Sequence, residues 1–406
     1  MNYTINAPSR ASDAAAFFDG SRLTLARKLA GWRKSNLASA IGMSPAAVGS
    51  WEIGDKRPSP AAIAQLALTL QVDPSFFSAR PSPIASAKSV PHFRSLRSTT
   101  QIARDQADAY GLLAVDVASA LETRVEFPDV NVPAFPVDES DLDGNGPESA
   151  ARLVRREWDL PTGAIRNMIR LLENNGVLVV FSPEQAASVD AYSFTTAVRP
   201  AIVLNPVKQD YYRQRFDAAH ELGHLVMHGD SEPGGRIVEE QANRFASEFL
   251  VPEVEIRDEL PTILNAAAWR TFGRLKEEWR VSLQSLLFRA RQLGRLSDVS
   301  YRNAMMTVSA KGWRRAEPGL ISTVETPSLL PRAVELLTAD GISERALVNE
   351  CGVPADLFHV MTSRTPEITP APSQESGTGL PAGRSTRAQV ISLLHRRDPD
   401  DGPTAP

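Results

Sequence analysis

The sequence predicts a multidomain chain in which an all-α head precedes an α+β body with a small sheet, followed by a helical C-terminal piece. Three observations predict it. Residues 21–78 read as short helices broken by tight turns. Three apolar runs of strand length, VLVVF (177–181), DAYSF (190–194) and AIVLN (201–205), interrupt stretches with helical spacing. The length, 406 residues with 42% hydrophobic and 23% charged content, suits two or three globular domains.

In chain order, residues 1–20 read as a disordered N-terminus. They lack a basic stretch followed by an apolar core, so no signal peptide is expected. The head spans 21–78. Residues 79–147 read as a linker and helical arm: a Ser- and Pro-rich stretch with the basic HFRSLR, a helix over about 101–124, and a Pro- and Asp-rich loop. The body spans 148–310, with helices near 148–158 and 162–174, the three strands, and helix thereafter. A helical C-terminal region follows over 311–366, and a Pro-, Ser- and Gly-rich disordered tail over 367–406. No apolar run reaches the roughly 18 residues of a membrane span, so no membrane partner is expected. The single cysteine, Cys351, excludes an internal disulfide and any all-cysteine metal site; a cytoplasmic setting is expected.

Within the head, LTLARKLAGW places Leu25 and Leu29 one turn apart on an inner face. SNLASAIG does the same with Leu37, Ala38 and Ile41, and Gly42 permits the left-handed backbone that ends a helix. Ser44 as N-cap and Pro45 at the first helical position start PAAVGSWE, which buries Val48 and Trp51. Ala46, Ala47, Gly49 and Ser50 are left outward. Arg22, Arg27, Lys28, Arg33, Lys34, Lys56 and Arg57 outweigh Glu52 and Asp55, so residues 21–60 carry +5 in a chain whose net charge is −4. Two short helices joined by a glycine turn describe a helix-turn-helix. The segment over about 22–77, with LASAIGMSPAAVGSWEIGDKRPS, its WExG signature and the closing VDPSFF, resembles the repressor-type helix-turn-helix family often called XRE. The resemblance implies duplex operator DNA as a partner. Arg27, Lys28, Lys34 and Arg57 are the candidate phosphate contacts, and Ser44, Ala46, Ala47 and Ser50 line the base-reading helix. Lys34 stands where the family usually has glutamine, and the outward residues are small, which argues against strong base-specific readout. A four-helix protein-interaction domain is the other reading.

The body contains RQRFDAAHELGHLVMHG. His220 and His224, four residues apart, project from one face of a helix within reach of a single ion, and Glu221 between them can hold and deprotonate an attacking water. Phe216, Ala219, Gly223 and Val226 form a small or apolar flank. Zinc needs a third protein ligand with one position left for water. A glycine and a third histidine at three-residue steps would mark the longer metzincin pattern, but Met227 and Asp230 stand there. The next helix, RIVEEQANRFASEFLVP, offers Glu239 on the face of Ala242 and Ala246, where small residues permit close approach; Glu240 is the alternative. Asn243 and Asp217 are candidates to hydrogen-bond the ligands from outside. His228 extends the four-residue spacing and reads as a capping or packing residue. Tyr192 is an oxyanion-donor candidate that reads equally as an ordinary strand aromatic.

HELGH, the E-x-x-A-N-x-F-A helix and the LVP ending, with HFRSLR, AIVLN and VSLQSLLFRARQLG, resemble the ImmA/IrrE family of metallopeptidases over about residues 90–310. The resemblance implies a zincin-like fold with zinc on His220, His224 and Glu239 and Glu221 as base. It also implies cleavage of a protein partner, a helix-turn-helix repressor or a toxin–antitoxin component. A non-enzymatic regulator whose peptidase-like domain senses a ligand or binds a toxin is the competing reading. Residues 325–362 are compatible with a homodimer interface and equally with ordinary helical packing.

Overall fold

The computed structural model describes residues 10–78, 92–93, 100–138, 140, 144–183, 191–206, 211–229, 235–314, 317–319 and 324–364. The tail over 367–406 lies outside them. The head is built from α1 (Arg10–Ala16), α2 (Gly20–Leu29), α3 (Lys34–Ala40), α4 (Pro45–Glu52) and α5 (Pro60–Leu70), closed by a 3-10 turn over Pro74–Ser78. Asp19, Ser44 and Ser59 cap α2, α4 and α5 with their side chains, satisfying N–H groups that a helix start leaves open. Gly42 ends α3 at φ +66°. Leu37, Ala38, Ile41, Val48 and Trp51 are buried, as their spacing requires.

One expectation for the head is corrected. Residues 10–16, assigned to a disordered N-terminus, form α1, because Ala11, Ala14, Ala15 and Phe18 fall at helical spacing and pack on the head's core. In α2 Leu25 and Leu29 are half-buried and pack against the core, as expected, and Leu23 and Ala26 are buried beside them. This helix is covered from several sides, so its buried set, which includes Arg22 and Arg27, is not one stripe.

The chain continues through β1 (His92–Phe93), α6 (Gln101–Glu122), α7 (Gly146–Glu157), α8 (Met168–Asn174), β2 (Leu178–Phe181), β3 (Ala191–Phe194) and β4 (Ala201–Leu204). There follow α9 (Tyr211–Met227), α10 (Arg236–Leu250), α11 (Glu253–Ile256), α12 (Ala266–Trp279), α13 (Leu283–Gln292) and α14 (Asp298–Ala310). The last elements are α15 (Leu329–Ala339), α16 (Glu344–Cys351) and α17 (Ala355–Thr362). The strand order is β1-β3-β4-β2. β2 runs parallel to β4, and β3 runs antiparallel to both β4 and β1. The three apolar runs are therefore strands, and His92–Phe93, at the start of HFRSLR, add an edge strand where a linker was expected.

The sheet is covered on both faces, which is why its strands read as unbroken apolar runs. Leu178, Val180, Tyr192, Phe194, Ala201 and Val203 belong to one core with the head, α6 and α15–α17. Val179, Phe181, Ala191, Ile202 and Leu204 belong to a second core with α7–α10 and α12–α14. The segment expected as an arm thus supplies a central helix: Ala107, Tyr110, Leu113, Ala114, Val117 and Leu121 of α6 are buried. Gly111 permits its approach to the sheet, since a Cβ there would sit 2.7 Å from Phe194 Cε1. Arg22 ties three elements together through the Phe76 carbonyl, Asp116 and the Gly352 carbonyl. The C-terminal helices are anchored by carboxylates. Glu173 accepts from the N–H groups of Ser328 and Leu329, and Glu325 pairs with Arg215 and accepts from Met168 and Ile169. No helix among the described residues is long and apolar enough to cross a membrane.

Candidate metal centre

From Asp217 onward α9 is buried on every side. α10 lies close against it at Gly223, where a Cβ would fall 3.0 Å from Phe245 Cδ1. That approach brings a carboxylate to the two histidines. His220 and His224 place their Nε2 atoms 3.0 Å apart. Glu239 Oε2 lies 3.3 Å from the first, and its Oε1 3.6 Å from the second. A tetrahedral ion with bonds of about 2.0–2.1 Å has ligand–ligand edges of about 3.3 Å, so the three atoms are spaced as zinc ligands are. Glu240 is exposed.

The chemistry of the donors also fits a cation. Asn243 Oδ1, which can only accept, sits 3.0 Å from His220 Nδ1; the proton is therefore on Nδ1, and Nε2 keeps its lone pair. Burial holds His224 down to about 3, against the raising effect of Glu239, so the imidazole is neutral at pH 7. Burial raises Glu239, but the His220 and His224 imidazoles beside its carboxylate outweigh this and hold it down at about 2. Neutral imidazole and ionised carboxylate are the forms a metal binds. Glu239 Oε1 is buried with His224 Nε2 3.6 Å away, beyond hydrogen-bond distance, a costly state that an ion would relieve.

Glu221 is fully buried between α9 and the sheet, where Ser193 Oγ donates to its Oε2 at 2.7 Å. Successive strand residues point to opposite faces. With Ser193 facing α9, Tyr192 faces α6 and donates its hydroxyl to the Ala107 carbonyl. The oxyanion role considered for Tyr192 is therefore corrected, because its hydroxyl lies on the wrong side of the sheet. Asp217 is buried and ion-paired with Arg213 at 3.6 Å. With Asn243, Phe216, Phe288 and Tyr301 it lines a cleft of about 400 Å³.

Residues 172–291 match the family described as the IrrE N-terminal-like domain, and residues 23–77 match the helix-turn-helix family. The chain is a fusion of these two domains. None of the curated proteins matches it. The IrrE N-terminal-like match runs from α8 into α13 and so takes in the sheet strands β2–β4, both metal-site helices and Ser193. Sequence reasoning missed Ser193 and Gln241 of this domain and read His228 only as a capping or packing residue. Ser193 lay inside a strand whose facing was not assigned. His228 carried a signal, the repeated four-residue spacing, and is buried with Nδ1 3.2 Å from His224 Nδ1. Gln241, 2.9 Å from His228 Nε2, carried none.

In the helix-turn-helix domain the candidate DNA residues separate by exposure. Ser44 and Ala46 are exposed, and Ala47 and Ser50 half-buried, along α4. Arg57 is exposed and donates to the Ala16 carbonyl. Lys34 is 47% exposed and pairs with Glu52 at 3.0 Å; Lys28 is 28% exposed and pairs with Asp105 at 3.3 Å. Arg27 is corrected. Its guanidinium is buried against Glu52 and the Trp32 carbonyl, so it is a structural cation and not a phosphate contact. Arg22 is buried likewise, which makes the basic face weaker than the residue count implied.

Proposed function

We propose that the chain is a DNA-bound regulator whose IrrE N-terminal-like domain is a zinc-dependent, site-specific endopeptidase acting on a protein partner. The resemblance to ImmA/IrrE proteins suggests a helix-turn-helix repressor as the substrate class. The observation that carries this reading is the convergence of His220, His224 and Glu239 on one point, with Glu221 next to His220 on the same helix. Two imidazoles and one carboxylate leave a position open, as in catalytic zinc sites, whereas structural sites are closed by four protein ligands.

Zinc, when bound there, lowers the pKa of a water and polarises the scissile carbonyl. Glu221 takes the proton from the attacking water and passes it to the departing amine. Ser193 holds the Glu221 carboxylate from the sheet side, and Asn243 keeps the His220 proton on Nδ1. The water-excluded setting strengthens each of these contacts. The helix-turn-helix domain confines the activity to a place on DNA, which suits one specific target better than general degradation.

The test is Glu221→Gln, which keeps size and shape but cannot accept a proton. Zinc content should remain near one per chain, and turnover should fall by about 10²–10⁴. New protein N-termini mapped in cells making the wild-type chain should be absent with Glu221→Gln. Identical N-terminal profiles, with zinc retained in both, would remove the peptidase reading and leave the regulator without catalysis.

A further inference from the structure

We propose that His228 and Gln241 are positioning residues that lock the tautomer of His224 and so commit its Nε2 to the metal. The inference rests on His220, His224 and Glu239 being the ligands, and not on peptidase activity.

The proton positions follow one another from the outside inwards. The Asp138 carbonyl can only accept a hydrogen bond, and Gln241 Nε2 lies 2.8 Å from it. That contact fixes the rotation of the Gln241 amide and turns its Oε1 toward His228 Nε2, 2.9 Å away. Oε1 can only accept, so His228 Nε2 carries a hydrogen. His228 has no exposure to solvent, and with its Nε2 donating to Gln241 its Nδ1 is the ring atom left to accept. Its neighbour at 3.2 Å is His224 Nδ1, which must therefore donate. With that proton on Nδ1, His224 Nε2 presents a lone pair to the point it shares with His220 Nε2 and Glu239.

Without this relay His224 could carry its proton on Nε2, where the Glu239 carboxylate would accept it. Zinc would then have to displace a buried hydrogen bond before it could bind. Asn243 performs the same service for His220 at 3.0 Å. α10 thus supplies the carboxylate ligand and an anchor for each histidine, from positions 239, 241 and 243.

The test uses the full chain and zinc alone as the probe. His228→Phe keeps an aromatic ring but removes the acceptor, and zinc affinity, read by competition with a chromophoric chelator, should fall about 10–100-fold. His228→Gln can accept from His224 and donate to Gln241, and it should restore most of that loss. In the zinc-free protein, ¹⁵N imidazole spectra should show His224 protonated on Nδ1 in the wild type and His228→Gln, and on Nε2 in a substantial fraction of His228→Phe. A packing role alone would move neither the tautomer nor the rescue. If His228→Phe fails to fold by circular dichroism, Gln241→Leu is read in its place with the same expectation. A wild-type His224 protonated on Nε2, or affinity unchanged in the variant read, overturns the inference while leaving the metal site intact. A wild-type chain that takes up no zinc would instead remove the ligand assignment beneath it.

Discussion

Gly223 stands in the middle of α9, and replacing it by alanine sets two effects of known size against each other. Alanine in a helix interior is favoured over glycine by about 1 kcal/mol. Gly273, inside α12 with nothing within 4 Å of the place a Cβ would take, should show that gain alone. At Gly223 the new Cβ would meet Phe245 Cδ1 at 3.0 Å, Cγ at 3.2 Å and Cβ at 3.3 Å. Carbon atoms rest about 3.5–4.0 Å apart, so the neighbour must yield by several tenths of an ångström. Phe245 cannot swing aside, because it is fully buried and stacked on Phe249 at 5.6 Å. Two of the three atoms lie at the base of its side chain, so α10 itself must retreat. Overpacking of this kind costs about 1–3 kcal/mol, leaving Gly223→Ala less stable by between about zero and 2 kcal/mol. The retreat also carries Glu239 away from His220 and His224, in a site that tolerates about 0.5 Å of displacement. Thermal unfolding of both variants, zinc-free and zinc-loaded, with chelator competition for affinity, reads both consequences. A Gly223→Ala chain that melts higher, as Gly273→Ala should, and holds zinc as tightly as the wild type refutes the reasoning.

Two further outcomes follow from the corrected head and from the lone thiol. Arg27→Ala should cost up to about 3–5 kcal/mol of stability, because it leaves the 3% exposed Glu52 carboxylate with the 47% exposed Lys34 as its remaining ion pair, whereas Lys34→Ala keeps Arg27 on Glu52 and should fold normally. In titrations of the full chain on duplex DNA at several salt concentrations, Lys34→Ala should lower the salt slope by about one phosphate contact. An Arg27→Ala chain of normal stability that loses only DNA affinity contradicts the assignment. Burial, with Glu350 and Asp116 adding to it, pushes the Cys351 thiol up to about 12, so at pH 8 it stays protonated. A thiol reagent should label it within minutes only after unfolding; equally fast labelling of the native chain would contradict that burial.

The sequence by itself determined the local features of this protein. Ser44 and Pro45 start a helix, Gly42 ends one, and HELGH puts two histidines and a glutamate on neighbouring turns, because capping and the 3.6-residue period act over a few residues. Glu239 was preferred to Glu240 for the same reason, since it shares a face with Ala242 and Ala246. What lay beyond local rules was every pairing made by packing. Arg27 reads as a surface cation until Glu52 is seen beside it, twenty-five residues on. Residues 101–122 read as an arm until the sheet and the C-terminal helices close around them. Ser193 meets Glu221 only because β3 lies against α9 in one of two facings, and Gln241 reaches His228 only because Gly223 lets α10 come close. Burial and hydrogen bonding are properties of neighbours in space, and those neighbours are chosen when the two cores form on either side of the sheet.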